Sequence, residues 1–170
     1  MWKRGREDSG WRWVAKSEVQ PMNRATAPTP MPLVEKEQTL IARYAIVEDL
    51  QERLSAVLER ARKMPPLPPE ARTDAHRVPG CVSRVWLLGK RQDGRCHFRL
   101  DADSALVKGL AGLLCELYDG APAPEIVAFD TRLLEELRLV AQLSPTRQHG
   151  LAQVRRAIQA FAASVLTPAP

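Results

Sequence analysis

The residues best suited to covalent or metal chemistry in this 170-residue chain are its three cysteines, Cys81, Cys96 and Cys115. Cys81 follows Val-Pro-Gly in the stretch HRVPGCVSRVW, directly before residues whose pattern predicts a β-strand. Because proline restricts the backbone and glycine leaves space beside its neighbours, Pro79 and Gly80 predict a short rigid turn that holds the thiol at the surface. Cys81 is therefore the candidate nucleophile.

Charged side chains close to Cys81 in sequence favour its thiolate. Arg77 and Arg84 lie on either side of it, and a nearby cation lowers the pKa of a thiol. His76 and His149 are candidates for assisting proton movement. The structural interpretation instead makes His76 a solvated loop residue and His149 a packing or capping residue of the last helix. X-Pro-Gly turns are common, so the local pattern alone does not establish a reactive cysteine.

The other two cysteines have the pattern of core residues. Cys96 alternates in phase with Phe98 and Leu100, and Cys115 lies in a strongly apolar helical segment. Buried free cysteines are common and usually inert. An odd number of cysteines, without a CxxC pair or a secretory segment, argues against a disulfide framework and predicts a reducing, cytoplasmic location.

The first half of the chain is predicted to be helical up to a proline-rich connector. Apolar residues at three- and four-residue spacing predict two helices across 33–64, with a break near 46–49. The four prolines of PPLPPEAR then end helix formation, because proline fixes φ and lacks an amide donor. An extended connector over 65–72 is therefore expected.

A β-hairpin is predicted in the middle of the chain. Residues 85–88 form an apolar, β-prone run, and apolar and polar side chains alternate along RCHFRLD at 95–101. Asp93 and Gly94 lie between the two segments and form a strong turn signal, because glycine accepts the positive φ of tight hairpin turns.

Helices are predicted over the rest of the chain. SALVKGLAGLLCELYDG is apolar around most of its circumference and predicts a central buried helix, capped by Asp103 or Ser104 and ending at Gly120. Two short helices, in APAPEIVAFD and TRLLEELRL, precede a closing helix with Ser144 as cap and Pro145 at its first position. This order predicts an α+β fold with helices packed on one face of a small antiparallel sheet.

Length and composition indicate one domain with a single core. Residues 1–32 are interpreted as a disordered N-terminal extension or a mis-annotated start, because they are proline-rich and offer little to bury. Residues 33–166 form the predicted domain and 167–170 a flexible tail.

The net charge of +5 is scattered without a basic stripe, which argues against nucleic-acid binding. No apolar run approaches the roughly 20 residues of a membrane span.

Several segments in register resemble the SufE family of sulfur-acceptor proteins. They are the connector MPPLPPEAR, then HRVPGCVSRVW, DADSALVKGLAGLLCELYDG and LSPTRQHGL, and the resemblance covers about 33–163. It implies a SufE-like and IscU-like α+β domain over 33–166. It also implies that Cys81 accepts sulfur as a persulfide from a SufS-type cysteine desulfurase, stimulates that enzyme and delivers the sulfur to a SufBCD-type scaffold for iron-sulfur cluster assembly.

The resemblance further implies that the protein is an accessory factor without a cofactor of its own, the pyridoxal phosphate belonging to the desulfurase. The predicted partner or loop contacts around the cysteine are Gly80, Arg84, Asp103, Arg147 and His149. Arg147 matches an arginine beside the family's last helix, and Trp86 matches its strand tryptophan. The chain departs from the common pattern at Val82, where many members carry Gln, and at His149, where they carry Asn or Gln.

Two other functions stay open at this point. An iron-sulfur or zinc scaffold would use several cysteines with a histidine or a carboxylate, although separations of 15 and 19 positions do not form a compact ligand motif. A plain interaction domain would need no covalent chemistry. It predicts that Cys81→Ala leaves activation of a desulfurase intact.

Overall fold

The computed structural model describes residues 31–166, so the predictions made for 1–30 and for the tail at 167–170 lie outside the described residues. Helices and a small antiparallel sheet form an α+β fold, which confirms the predicted class. In chain order the α-helices and strands are α1 (Leu33–Ala45), α2 (Leu50–Lys63), β1 (Val85–Gln92), β2 (Arg95–Ala102), α3 (Ala105–Tyr118), β3 (Ala121–Pro122), α4 (Ala123–Ala128), α5 (Leu133–Glu136) and α6 (Pro145–Leu166). Short 3-10 helices are formed by Pro69–Ala71, Asp74–His76 and Val140–Gln142, so the connector predicted to be extended ends in a 3-10 helix.

The predicted break between α1 and α2 is present and is held by side chains. Asp49 caps α2 by accepting a hydrogen bond from a backbone amide of its first turn at 2.9 Å. Arg53 is 7% exposed and donates to the carbonyl oxygens of Tyr44, Val47 and Leu137. Because these carbonyls lie at the end of α1 and beside α5, the arginine ties three segments together.

The predicted hairpin is confirmed. β1 and β2 pair antiparallel from Val85 opposite Ala102 up to the turn. Asp93 and Gly94 have positive φ values of 53° and 78°, as a tight two-residue turn requires. β1 continues to Gln92, beyond the predicted apolar run, because backbone pairing with β2 extends it through residues that carry no β-signal.

The third strand corrects the prediction of a helix that starts at residue 121. Gly120 adopts a φ of 75° and its amide donates to the carbonyl oxygen of Cys96 at 2.7 Å. This turn lays Ala121 beside Cys96 in an antiparallel pair, so α4 begins only at Ala123. The prediction missed the strand because two residues carry no periodicity.

Helix α5 is shorter than predicted, whereas α6 has the predicted bounds. α5 covers only four residues of the predicted segment, because Arg138 adopts a left-handed φ of 58° just after it. α6 begins at Pro145 as predicted, and the amide of Gln148 donates to the carbonyl oxygen of Ser144 at 3.0 Å. No helix within 31–166 combines the length and apolarity needed to cross a membrane.

Helices α3 and α6 cover one face of the sheet. Cys96, Phe98 and Leu100 point to this face and are at most 6% exposed. The ring of Phe98 meets that of Phe161 from α6 edge-on, with centroids 5.6 Å apart. Gly89 of β1 leaves room for the ring of Phe161, because a Cβ at position 89 would lie only 2.6 Å from that ring. Cys96 is therefore a core thiol, as predicted.

Helix α3 is the predicted central helix. Ser104 caps it by accepting a hydrogen bond from the Val107 amide at 3.4 Å, which resolves the choice left open for the cap. α2 crosses α3 at Gly109, where a Cβ would lie 2.8 Å from the carbonyl oxygen of Val57. Cys115 on α3 is buried, as predicted.

The connector covers the opposite face of the sheet. Asp101 of β2 is 4% exposed there and accepts a hydrogen bond from the amide of Leu67 at 3.1 Å. Its carboxylate also pairs with Arg72 at 2.7 Å and with Lys108 of α3 at 3.1 Å. A small apolar cluster surrounds this contact: Leu67, Ala71 and Leu88, with Trp86 against them. The connector thus follows a fixed path into the segment that carries Cys81.

These contacts set the ionisation of Asp101. Burial alone raises the pKa of its carboxyl group, but hydrogen bonds from Lys108 and from the amides of Leu67 and Ala102 outweigh burial, so the pKa lies below its usual value. A carboxylate whose pKa is lowered by folding stabilises the fold above its unfolded pKa of about 4. That contribution is lost as the pH falls through the folded-state pKa.

We expect Asp101→Asn to lower the free energy of unfolding by about 3 kcal/mol at pH 7, because the largely buried Lys108 loses its carboxylate partner. Asp103→Asn is the matched control and should cost about 0.5 kcal/mol, since Asp103 pairs with Arg84 at the surface. Urea titration followed by circular dichroism measures both, and the difference between Asp101→Asn and wild type should shrink below about pH 4. Equal losses in the two variants would contradict the assignment.

Candidate functional site

Cys81 lies in a six-residue loop, residues 79–84, which we call the cysteine loop. Its two ends are held together, because the amide of Val78 donates to the carbonyl oxygen of Val85 at 2.8 Å. The amide of Asp103 donates to the carbonyl oxygen of Arg84 at 3.1 Å and fixes the second end to the start of α3. The loop therefore begins and ends at one point at the edge of the sheet.

The cysteine loop folds back onto α6. The half-buried thiol of Cys81 donates to the carbonyl oxygen of Gly150 at 3.3 Å. A Cβ at Gly150 would lie 3.5 Å from the Sγ atom, so the glycine provides the surface against which the thiol packs. We expected the turn to hold the thiol at the surface, but Cys81 is half-buried. The exposed side chain is that of its neighbour Val82, which is 80% exposed.

Gly80 allows this backward fold. Its φ of 77° lies in the left-handed region that glycine adopts without strain. A Cβ at Gly80 would also lie 3.2 Å from Cγ of Gln153 and 3.6 Å from Nε2 of His149. These two side chains contact each other at 3.1 Å between their Nε2 atoms. The structure thus places His149 against the first part of the cysteine loop.

The surroundings of Cys81 favour the protonated thiol. Burial raises its pKa above the usual value of a cysteine, and the guanidinium of Arg77 opposes this in part. Because the thiol proton is retained at neutral pH, the sulfur can donate to Gly150 as described. Arg84, which we expected to act like Arg77, instead binds Asp103, with its Nε atom 3.2 Å from Oδ2.

Two arginines flank the strand tryptophan beside the loop. The guanidinium of Arg72 lies 6.0 Å from the ring centre of Trp86, and that of Arg84 lies 5.8 Å from it. Arg72 is the same residue that pairs with Asp101. His76 lies just after the connector, and its Nδ1 is 3.0 Å from the carbonyl oxygen of Ala71. The connector and the end of the cysteine loop therefore meet on one aromatic ring.

A cavity of about 340 Å³ opens beside the thiol of Cys81. Its walls are the cysteine loop, Val107 of α3 and the start of α6 as far as Gly150. The structure brings Arg147 and Cys81 to the same cavity, although the two residues are far apart in sequence. Sequence reasoning named Arg147 but missed Gly150, which it quoted only as part of LSPTRQHGL.

The other two cysteines lie away from this cavity, in the core. Burial raises the pKa of Cys115, with Asp119 adding to the effect. Burial also raises the pKa of Cys96, against the opposing charge of Arg91. Among residues 31–166, no group of three or more His, Cys, Asp or Glu side chains is arranged to hold a metal ion. An iron-sulfur or zinc scaffold, the alternative function, would therefore lack a ligand cluster in this part of the chain.

Comparison with known proteins gives two findings. A family model described as "SufE: Fe-S metabolism associated domain" matches residues 38–162, which include the cysteine loop, the hairpin and most of α6. The solution structure of a hypothetical protein from Thermus thermophilus superposes with a TM-score of 0.65 at 23% identity, covering 78% of this chain and 97% of that chain. At this identity the structural likeness shows the fold alone.

The raised pKa predicts slow alkylation of Cys81 by iodoacetamide at pH 7, with a rate that keeps rising above the usual pKa of a thiol. Arg77→Gln removes the charge that opposes burial, so the variant should react more slowly than wild type at pH 8. Arg156→Gln, on an exposed part of α6, is the matched control and should react like wild type. Mass spectrometry of the native protein over time gives the rates. Faster alkylation of Arg77→Gln would show that the electrostatic assignment is wrong.

Proposed function

The chain belongs to the SufE family of Fe-S metabolism-associated domains, and on that premise we propose that it is a sulfur carrier that accepts persulfide sulfur on Cys81 from a SufS-type cysteine desulfurase. The observation that carries the proposal is the placement of this thiol. It lies in a glycine-hinged loop, beside a cavity, while Cys96 and Cys115 are in the core. Among the three cysteines, Cys81 is therefore the one that a second protein can reach after a local loop movement.

The transfer is a thiol exchange at sulfur. The thiolate of Cys81 attacks the terminal sulfur of a persulfide on the donor's cysteine. A new sulfur-sulfur bond forms on Cys81 as the bond in the donor breaks, and the donor's cysteine leaves as a thiolate. The thiol proton of Cys81 passes to water. The step needs no external oxidant or reductant, and the sulfur remains available for delivery to a SufBCD-type scaffold.

The resting geometry supports a carrier that is activated by its partner. Cys81 is a weak nucleophile while its thiol is protonated and donates to the carbonyl oxygen of Gly150. Moving the cysteine loop away from α6 returns the sulfur to water, which removes the burial that raises its pKa. Arg77 then favours the thiolate. We assign this movement to docking of the desulfurase, with Gly80 as the hinge because its φ already lies in a region closed to most residues.

The neighbouring residues receive roles from their contacts. Arg84 and Asp103 hold one end of the cysteine loop through their ion pair, and His149 packs on its other end at Gly80. Arg147 lines the cavity beside the cysteine loop, where it is available to contact the docked desulfurase. In this proposal the pyridoxal phosphate belongs to the desulfurase, and the protein accelerates its partner without catalysing a reaction alone.

Loading of Cys81 is testable by intact mass. After incubation with a cysteine desulfurase, its pyridoxal phosphate and cysteine, wild type should gain the mass of one sulfur atom. Cys81→Ser should gain none, because it lacks the accepting thiol. Cys115→Ser is the matched control, since it removes a buried thiol and should load like wild type. Equal loading of wild type and Cys81→Ser would refute the proposal.

Stimulation of the desulfurase separates a carrier from a plain interaction domain. Alanine release from cysteine by the desulfurase should rise when wild type is added and stay at its basal rate with Cys81→Ala, because the enzyme's persulfide has no acceptor. A binding measurement on Cys81→Ala confirms that the variant still docks. If docked Cys81→Ala stimulates as strongly as wild type, the protein acts by contact alone.

A further inference from the structure

We propose that the cavity beside Cys81 is a binding site for a small thiol that carries a carboxylate, and that this thiol removes sulfur from the Cys81 persulfide. The inference rests on the proposed function, because it assigns a recipient to the sulfur carried by Cys81. It goes beyond that function, because it gives the carrier a small-molecule acceptor besides a protein scaffold.

The size and walls of the cavity suit a small organic molecule. Its volume of about 340 Å³ lies within the range of small-molecule sites, roughly 300–1,000 Å³. Val82 and Val107 give it apolar surface for a short carbon chain, and the hydroxyl groups of Ser83 and Thr146 give it polar surface. Cys81 lies in the wall, so a bound molecule is held next to the residue that carries the sulfur.

The charge of the site selects an anion. Arg147 is the one charged residue that lines the cavity within the described chain, and no carboxylate shares the lining with it. None of the ion pairs found among residues 31–166 uses Arg147. Arg77 adds a second positive charge whose field reaches the sulfur. A guanidinium without a partner binds a carboxylate through charge-assisted hydrogen bonds, whereas a cationic ligand would be repelled.

The sulfur and the arginine share one cavity. Sγ of Cys81 packs on Gly150, and Cys81, Gly150 and Arg147 all line the cavity. A terminal sulfur added to Sγ extends by one bond from this wall. A ligand held by its carboxylate on Arg147 therefore lies in the same cavity as the carried sulfur while the cysteine loop stays on α6. A protein thiol, in contrast, requires the loop to move.

The exchange balances without an added redox reagent. The ligand's thiolate attacks the terminal sulfur of the Cys81 persulfide, and a new sulfur-sulfur bond forms on the ligand. The bond between that sulfur and Sγ breaks, and Cys81 leaves as a thiolate that Arg77 stabilises. The thiolate then takes a proton from water. The products are a small carboxylated persulfide and the free carrier.

The test begins with Cys81 loaded by the desulfurase and freed of small molecules by gel filtration. Loss of the added sulfur is then followed by intact mass at increasing concentrations of 3-mercaptopropionate, an anionic thiol, and of cysteamine, a cationic thiol. We expect the rate to saturate with 3-mercaptopropionate and to rise linearly with cysteamine. A linear dependence for both thiols would overturn the inference, because it indicates simple collision with an open persulfide.

Variants of one arginine sharpen the test. Arg147→Gln should raise the half-saturating concentration of 3-mercaptopropionate about tenfold and leave the cysteamine rate unchanged, since it removes one charge-assisted contact. Arg147→Lys should recover part of the loss. Arg156→Gln, whose arginine does not line the cavity, is the control and should match wild type. An unchanged half-saturating concentration in Arg147→Gln would overturn the inference. Comparing variants with the same thiol cancels the intrinsic reactivity of each reagent.

Failure of this inference is distinguishable from failure of the proposed function. If the desulfurase does not load Cys81, the carrier function fails at the first step. The cavity can then still be tested on protein whose Cys81 has been loaded with inorganic polysulfide, using the same two thiols. Normal loading by the desulfurase followed by unsaturable release would keep the carrier function and reject the small-thiol site.

Discussion

The buried carboxylate of Asp101 is the contact on which the rest of the structure depends. It lies on the face of the sheet that the connector covers, and it joins β2 to the connector through Leu67 and Arg72 and to α3 through Lys108. Lys108 also donates to the carbonyl oxygen of Met64 at 3.3 Å. Lys108 therefore has a structural role. It places the central helix, the end of α2 and the connector in one fixed relation.

That relation positions one end of the cysteine loop. From Asp101 the contacts run through Arg72 to the ring of Trp86 and on to Arg84, which closes one end of the cysteine loop. Gly150 of α6 holds the thiol from the other side. Cys81 thus lies between the edge of the sheet and the surface of α6. In the proposed function, only the cysteine loop has to move to expose the thiol. This arrangement suits the proposed function, in which the protein hides one sulfur and then presents it.

Sequence reasoning reached the parts of the molecule that depend on local signals. The Asp93-Gly94 turn, the alternation that buries Cys96 and the apolar helix around Cys115 each follow from a few adjacent residues. β3 was missed because a two-residue strand exists only through its pairing with β2. The burial of Asp101 was missed because alternation assigns it to the polar face, and only the folded connector covers it. The contact of Cys81 with Gly150 joins distant segments, so no local pattern predicts it.

The central claim is that sulfur is carried on Cys81, and the most direct test is to locate the sulfur on a peptide. Trypsin cleavage after arginine and lysine places the three cysteines on separate peptides, at 78–84, 96–99 and 109–132. After reaction with a cysteine desulfurase and cysteine, persulfides are blocked with an alkylating reagent and the digest is sequenced by mass spectrometry. The account predicts the additional sulfur on peptide 78–84 alone. Sulfur found on 96–99 or 109–132, or on none of the three, would contradict it.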